Sequence, residues 1–297
     1  MTLHAKNEAN AGMTRRHFLK TSGASSLVLT TGVQAASDDK KRLRVGLISD
    51  IHYADLDTAG TRHYRDSISK VRVAIEKFND SSLDMVVCLG DLIDAGKSVK
   101  EEYAHLETVY KEFKQLKVPC RFVLGNHCVW TLTKSEFLQG VSQKSSYDAV
   151  SIKGVRLVML DACHRKDGVS YGRQNYGWTD TEIPENQRIW LKRNLADTEQ
   201  PTLVFVHQRL DVEGNYGIHS APAVREILET SGQVAAVFQG HNHVNDHQTI
   251  QGIHYLTHNA VIEGPAPDNN AYSILEYSPA EQTIRIEGFH NQADYRF

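Results

Sequence analysis

Apolar residues along the chain follow two alternating rhythms. Short runs in which nearly every position is apolar, at 43–49, 85–89, 121–124, 202–206 and 234–238, read as buried strands. Between the first of these, apolar positions recur at helical spacing: Ile68, Val71, Ile75 and Phe78 within 64–79, then Leu106, Val109, Tyr110, Phe113 and Leu116 within 103–116. Both stretches predict amphipathic helices. The segments 187–195 and 221–228 extend the helical reading. Strands alternating with helices predict an α/β fold with parallel sheet built from right-handed crossovers.

The middle and end of the chain change style. Apolar runs at 147–152 and 155–160 flank Lys153 and Gly154, a turn pair that predicts a hairpin. Runs at 247–251, 253–257, 272–277 and 283–288 predict a closing strand meander. Between Cys163 and Trp178 lies a long irregular stretch rich in Gly, Tyr, Asn and Gln, expected to be a substrate-facing lid.

The first 36 residues read as an address rather than as part of the fold. Arg15 and Arg16 form a basic pair, Phe18 and Leu19 begin an apolar run, and Val33, Gln34 and Ala35 offer a small-residue cleavage site. This is the layout of a twin-arginine export signal. The run is too short and too rich in Ser, Thr and Gly for a membrane span, so no stable membrane anchor is expected. The expected organisation is an export signal over 1–36 and one domain over 37–297, located in the periplasm or secreted.

Composition excludes several classes. A net charge of -3 with no basic block argues against a nucleic-acid polymer as partner. Four cysteines, Cys88, Cys120, Cys128 and Cys163, lack any C-x-x-C spacing, whereas histidine occurs 15 times. That balance points towards imidazole and carboxylate metal ligands.

The candidate chemistry sits at strand ends. Asp50 and His52, then Gly90, Asp91 and Asp94, then Gly125, Asn126 and His127, then His207, and finally Gly240, His241 and His243 each follow a predicted strand. Ligands of open α/β sheets gather at the carboxyl edge of the strands, so these five clusters converge on one site. Residues two apart in an extended segment point the same way, which lets Asp50 with His52, and His241 with His243, act together.

The ordered set resembles the calcineurin-like metallophosphoesterase superfamily over nearly the whole chain after the signal. Further stretches resemble its manganese-dependent ADP-ribose/CDP-alcohol diphosphatase branch: His52 to Asp55, Gly60 to Arg65, Gly90 to Asp94, Val118 with Pro119, and Asn259 to Gly264 followed by Ala266 to Asp268. The chain departs from animal members at His52, where they tend to have Gln, and at Cys128, where Glu is usual.

The resemblance implies a four-layer α/β/β/α sandwich with two mixed β-sheets and a dinuclear metal site at the C-terminal edge of the strands. It implies that Asp50, His52 and His243 hold one metal, that Asn126, His207 and His241 hold the other, and that Asp91 bridges them. Carboxylates, an amide and imidazoles suit Mn, Fe or Zn without a thiolate, as two divalent or mixed-valence ions. His127 has no metal in this scheme and is read as the acid that protonates the leaving oxygen, or as a group that orients the phosphate. Asp94 is read as supporting the ligands or capping a turn. Arg62 and Arg65 are candidate phosphate contacts. Tyr53, Asp55, Tyr176 and Trp178 are candidate nucleoside contacts, with packing as the alternative. Cys128 has no base partner in its motif and is not expected to act as a nucleophile.

The function expected on this basis is an exported dinuclear metallophosphohydrolase acting on phosphoanhydrides or phosphodiesters, with nucleoside diphosphate derivatives such as ADP-ribose or CDP-alcohols as substrates. Its expected partners are that small phosphorylated substrate and the twin-arginine export machinery. Two alternatives stand beside it. One is a periplasmic phosphomonoesterase that scavenges phosphate; the other is a non-catalytic binding module on the same fold.

Overall fold

In the computed structural model, which describes residues 42–297, the strand β1 (Leu43–Ile48) runs parallel to β2 (Met85–Cys88) and antiparallel to β10 (Ala271–Ser278). The expected signal over 1–36 and its cleavage site lie outside the described residues. Adding β3 (Cys120–Phe122), β11 (Thr283–His290) and β12 (Tyr295–Arg296) completes one mixed six-stranded sheet, in the order β12-β11-β10-β1-β2-β3. A second mixed sheet has the order β4-β5-β6-β7-β9-β8. Its strands are β4 (Asp148–Ile152), β5 (Val155–Met159), β6 (Thr202–Phe205), β7 (Val234–Gln239), β8 (Asp246–Ile250) and β9 (Ile253–Thr257).

Alternation along the strands divides the core into three layers of side chains. Val45 and Leu47 of β1 face Leu157, Met159, Leu203, Phe205 and Phe238 of the second sheet, so the two sheets pack face to face. Ile48, next to Leu47, points the other way and joins Val71, Ala74, Ile75 and Phe78 of α1 (Ser67–Asn79). The helix α2 (Val99–Phe113) covers the same face through Leu106, Val109 and Phe113. On the far side Val158, Val204 and Val237 meet Leu191 and Leu195 of α4 (Glu185–Ala196) and Val224 and Leu228 of α5 (Ala221–Ser231). The result is helix, sheet, sheet, helix. Gly46 lets α1 approach: a Cβ there would stand 2.9 Å from Leu83 and 3.0 Å from Phe78.

One expectation needs correction. The closing strands do not form one meander: β8 and β9 belong to the second sheet, with β9 parallel to β7, while β10, β11 and β12 close the first. Nothing in the alternation along these strands says which sheet receives them. A short helix at Lys134–Gly140, α3, was not expected, because Phe137 is its one buried side chain. The stretch from Cys163 to Trp178 contains no helix or strand and is largely exposed, with two of its rings anchoring it. Tyr171 and Tyr176 are buried and stack at 3.6 Å between ring centroids. Among the described residues no helix is long and apolar enough to cross a membrane.

Candidate metal centre

The parallel strands β1, β2, β3, β6 and β7 each end just before one of the polar clusters, and their carboxyl ends bring Asp50, His52, Asp91, Asn126, His127, His207, His241 and His243 together. The chain must turn sharply there. Asp50, His52, Asp91, His241 and His243 all adopt positive φ, from 46° to 73°, a region that non-glycine residues rarely enter. Each such residue costs on the order of 1–3 kcal/mol, and this clustering of strain marks a site that the rest of the fold holds in place. Gly125 has a different use: a Cβ on it would stand 2.1 Å from Asp91 Oδ1.

Three groups of ligand atoms overlap at the centre. Asp50, His52 and His243 form one, Asp91, His207 and His241 another, and His52, Asp91 and His127 a third, with the atoms of each within 4.8 Å of one another. His52 Nε2 and His243 Nε2 stand 3.2 Å apart, and Asp50 Oδ1 lies 3.4 Å from His243 Nε2. Asp91 Oδ2 lies 3.5 Å from His52 Nε2 and 3.1 Å from His207 Nε2, a position between the first two groups.

The donor set fits metal ions, and the hydrogen-bond inventory shows why. Asn126 Oδ1, His207 Nε2 and His241 Nε2 are buried and have no hydrogen-bond partner. Orphaned buried polar atoms are costly unless a ligand takes them. All three belong to one proposed ligand group.

The remaining ring nitrogens are fixed from behind. His207 Nδ1 donates to the Leu89 carbonyl at 2.9 Å, leaving Nε2 to face the centre. His243 Nδ1 stands 2.7 Å from Glu263 Oε1. Asp94 serves two histidines, with Oδ2 at 3.1 Å from His52 Nδ1 and Oδ1 at 2.9 Å from His127 Nδ1. The His127 backbone N–H donates to Asp91 Oδ1 at 2.8 Å. Such outer contacts set tautomer and ring orientation. Lys70 supports the Glu263 loop from below, its Nζ donating to the carbonyls of Val261, Glu263 and Gly264 at 2.8, 3.0 and 2.6 Å.

Charge follows the same arrangement. Burial opposes ionisation of Asp50, but His207, His243 and His52 outweigh it and hold the carboxyl well below its usual range. Asp91 is lowered in the same way by His207, His127 and His52. Burial pulls His243 down, yet Asp50 and Glu263 push it up to about 9. His241 goes the other way, to about 3, because burial and the neighbouring His207 both oppose its protonation.

Above these groups opens a cavity of about 340 Å³. Arg62, Trp178, Tyr216 and Asn242 line it together with His52, Asp91, Asn126, His127, His241 and His243. Arg62 Nη1 donates to Asp94 Oδ2 at 3.3 Å. Of the other candidate contacts, Arg65 is taken up by Asp55 and Asp57 at 2.5 and 2.6 Å, and none of the three lines the cavity. Tyr53 pairs with Ile93 and packs edge-on against His105. Tyr176 lies one step away and donates its hydroxyl to the Asn126 carbonyl. Sequence reasoning missed Glu263, Tyr216 and Asn242. Glu263 sits inside one of the quoted motifs and Asn242 between two expected ligands, so position gave a signal for both; Tyr216 had none.

Over residues 43–245 the sequence matches the family model described as Calcineurin-like phosphoesterase. It is 23% identical over 321 residues to a manganese-dependent ADP-ribose/CDP-alcohol diphosphatase of Oryza sativa, covering 90% of this chain and 98% of that protein. The human protein of the same name is 26% identical over 320 residues, covering 86% and 93%. Among solved structures, a dimetal phosphatase from Danio rerio shares the fold, with a TM-score of 0.75 at 22% identity, covering 86% of this chain and 98% of that one.

Proposed function

The chain belongs to the calcineurin-like phosphoesterase family, and we propose that within this family it is an exported hydrolase of nucleoside diphosphate derivatives of the ADP-ribose and CDP-alcohol kind. At the coarser level it is a phosphohydrolase whose cofactor is a pair of metal ions. The observation that carries the finer reading is the composition of the central cavity. A floor of metal ligands adjoins a rim with one guanidinium, Arg62, and two aromatic rings, Trp178 and Tyr216, whose centroids lie 5.4 Å apart. A diphosphate flanked by a nucleoside offers partners for both.

In this reading Asp50, His52 and His243 hold one ion, Asn126, His207 and His241 hold the other, and Asp91 serves both. Bound there, a pair of ions would supply positive charge for activating a water and for stabilising phosphate oxygens. The chain's own residues do the rest. Arg62 binds a phosphate oxygen, and Asp94 accepts from His127 Nδ1 and so turns Nε2 towards the leaving oxygen, which it protonates. Export rests on the Arg15 and Arg16 segment and on no other feature. The expected partners are a small phosphorylated substrate and the twin-arginine machinery, with no nucleic-acid polymer.

A panel of ADP-ribose, CDP-choline, bis-p-nitrophenyl phosphate and p-nitrophenyl phosphate, assayed with Mn, Fe and Zn, tests the substrate class. The reading expects the highest kcat/KM on the two diphosphates. A clear preference for p-nitrophenyl phosphate would favour the phosphomonoesterase alternative instead.

A further inference from the structure

The buried face of α1 carries Val71, Ala74, Ile75 and Phe78, and at its N-terminal end Lys70 lies on the same face, only 1% exposed. A lysine is almost never fully buried unless its charge is met by partners. The ammonium has three donors, and all three go to main-chain carbonyls of one segment: Val261 at 2.8 Å, Glu263 at 3.0 Å and Gly264 at 2.6 Å. Burial lowers its pKa to about 8, which leaves it protonated at neutral pH.

The segment is shaped around this ammonium. The one intervening carbonyl, of Ile262, accepts instead from the His63 backbone N–H at 3.0 Å. Gly264 makes the turn that lets its carbonyl join those of Val261 and Glu263, at φ 70° and with no room for a side chain, since a Cβ there would stand 2.5 Å from Asn269. On its amide side the same segment ties two parts of the site together. The N–H groups of Val261 and Ile262 donate to the carbonyls of Ser49 and Asp50 at 3.1 and 3.0 Å, and the N–H of Gly264 donates to the carbonyl of Thr61 at 2.8 Å. Between these anchors Glu263 Oε1 stands 2.7 Å from His243 Nδ1. Removing the ammonium would take one donor from each of three carbonyls at once, and the segment would have to shift to find others. Such a shift carries Glu263 away from His243 and frees the imidazole to turn.

Resting on the ligand assignment proposed above, we infer that Lys70 is a positioning residue for the ion held by Asp50, His52 and His243. Its ammonium fixes the segment 261–264, the segment fixes Glu263, and Glu263 fixes the ring of His243. Lys70 does not line the cavity and touches no substrate. The ion on Asn126, His207 and His241 has no such dependence, because His207 is set from behind by the Leu89 carbonyl.

Manganese titration of the metal-depleted full chain, read by electron paramagnetic resonance, tests this without turnover. Lys70→Ala is expected to weaken one of the two manganese binding steps at least tenfold, the lower end of the effect typical for partners that orient a ligand, and to leave the other as in the wild type. His243→Ala is the reference and is expected to weaken the same step. If His243→Ala binds both ions at wild-type affinity, the ligand assignment falls and the inference with it. If His243→Ala weakens one step while a folded Lys70→Ala weakens neither, or weakens both equally, the inference alone falls. Lys70→Met, which keeps the packed stem and removes only the ammonium, replaces Lys70→Ala should that variant not fold. A double-mutant cycle with Glu263→Gln tests the route: the losses of the two single variants are expected not to add, and additive losses would overturn it.

Discussion

Asp94 and His127 are joined by a 2.9 Å contact between Oδ1 and Nδ1, while the second oxygen of Asp94 reaches His52 Nδ1 at 3.1 Å. One carboxylate thus orients both the proposed acid and a proposed ligand, and those two histidines hold it far below its usual pKa range although burial opposes this. Asp94→Asn keeps the shape but removes the charge and one of the two acceptors. We expect a loss of about 10 to 100-fold in turnover or metal affinity, the range typical for such supporting partners. Steady-state kinetics with metal analysis checks this; wild-type values for both would show that Asp94 orients neither ring.

Asp91 lies between the two ligand groups, 3.5 Å from His52 Nε2 and 3.1 Å from His207 Nε2. Asp91→Asn removes a negative charge that both ions would share in the proposed scheme, so we expect at least one ion to be lost along with nearly all turnover. His241→Ala, which touches one group, should spare the other ion more. Elemental analysis of the two variants decides the point, and two full equivalents in Asp91→Asn would contradict the bridging role.

Much of this site was legible in the sequence because its chemistry follows strand ends. A buried parallel strand is a short apolar run, and the first polar residues after it must lie at the carboxyl edge, so Asp50, Asp91, Asn126, His207 and His241 announce their positions locally. Glu263 was harder to assign. It follows β9 through a loop, and its role depends on His243, 20 residues earlier, at 2.7 Å. The destination of the closing strands was not legible either, since strand pairing is a long-range choice that alternation does not encode. For α3 a signal existed in Thr133 and Glu136, which form a capping box, but the apolar spacing that marked the other helices was missing. Arg65 sits in a matching motif, and the carboxylates that hold it are Asp55 and Asp57.

The role of His127 is read through the leaving group. An alkyl ester must expel an alkoxide almost as basic as hydroxide and needs a proton, whereas a diphosphate expels a phosphate whose relevant pKa is about 6 and departs with little help. General acid catalysis typically supplies about 10² to 10⁴-fold. His127→Ala is therefore expected to lose that factor on alkyl phosphodiesters, and much less on ADP-ribose or nitrophenyl esters, at unchanged metal content. Equal proportional losses on every substrate would assign His127 to phosphate positioning.

Export is predicted from Arg15 and Arg16 alone. Changing both to Lys keeps the charge but removes the paired guanidinium groups, and we expect the precursor to remain inside the cell. Fractionation with immunoblotting reads the result. Mature-length protein in the periplasm despite the double change would rule out the twin-arginine route.

The central claim, that two ions sit on either side of Asp91, is tested most directly by anomalous diffraction from crystals of the manganese-loaded protein. The account predicts two anomalous peaks about 3.5 to 4 Å apart, with Asp91 between them. Asp50, His52 and His243 should contact one peak, and Asn126, His207 and His241 the other. A single peak at full manganese occupancy, or a pair of peaks away from Asp91, would contradict it.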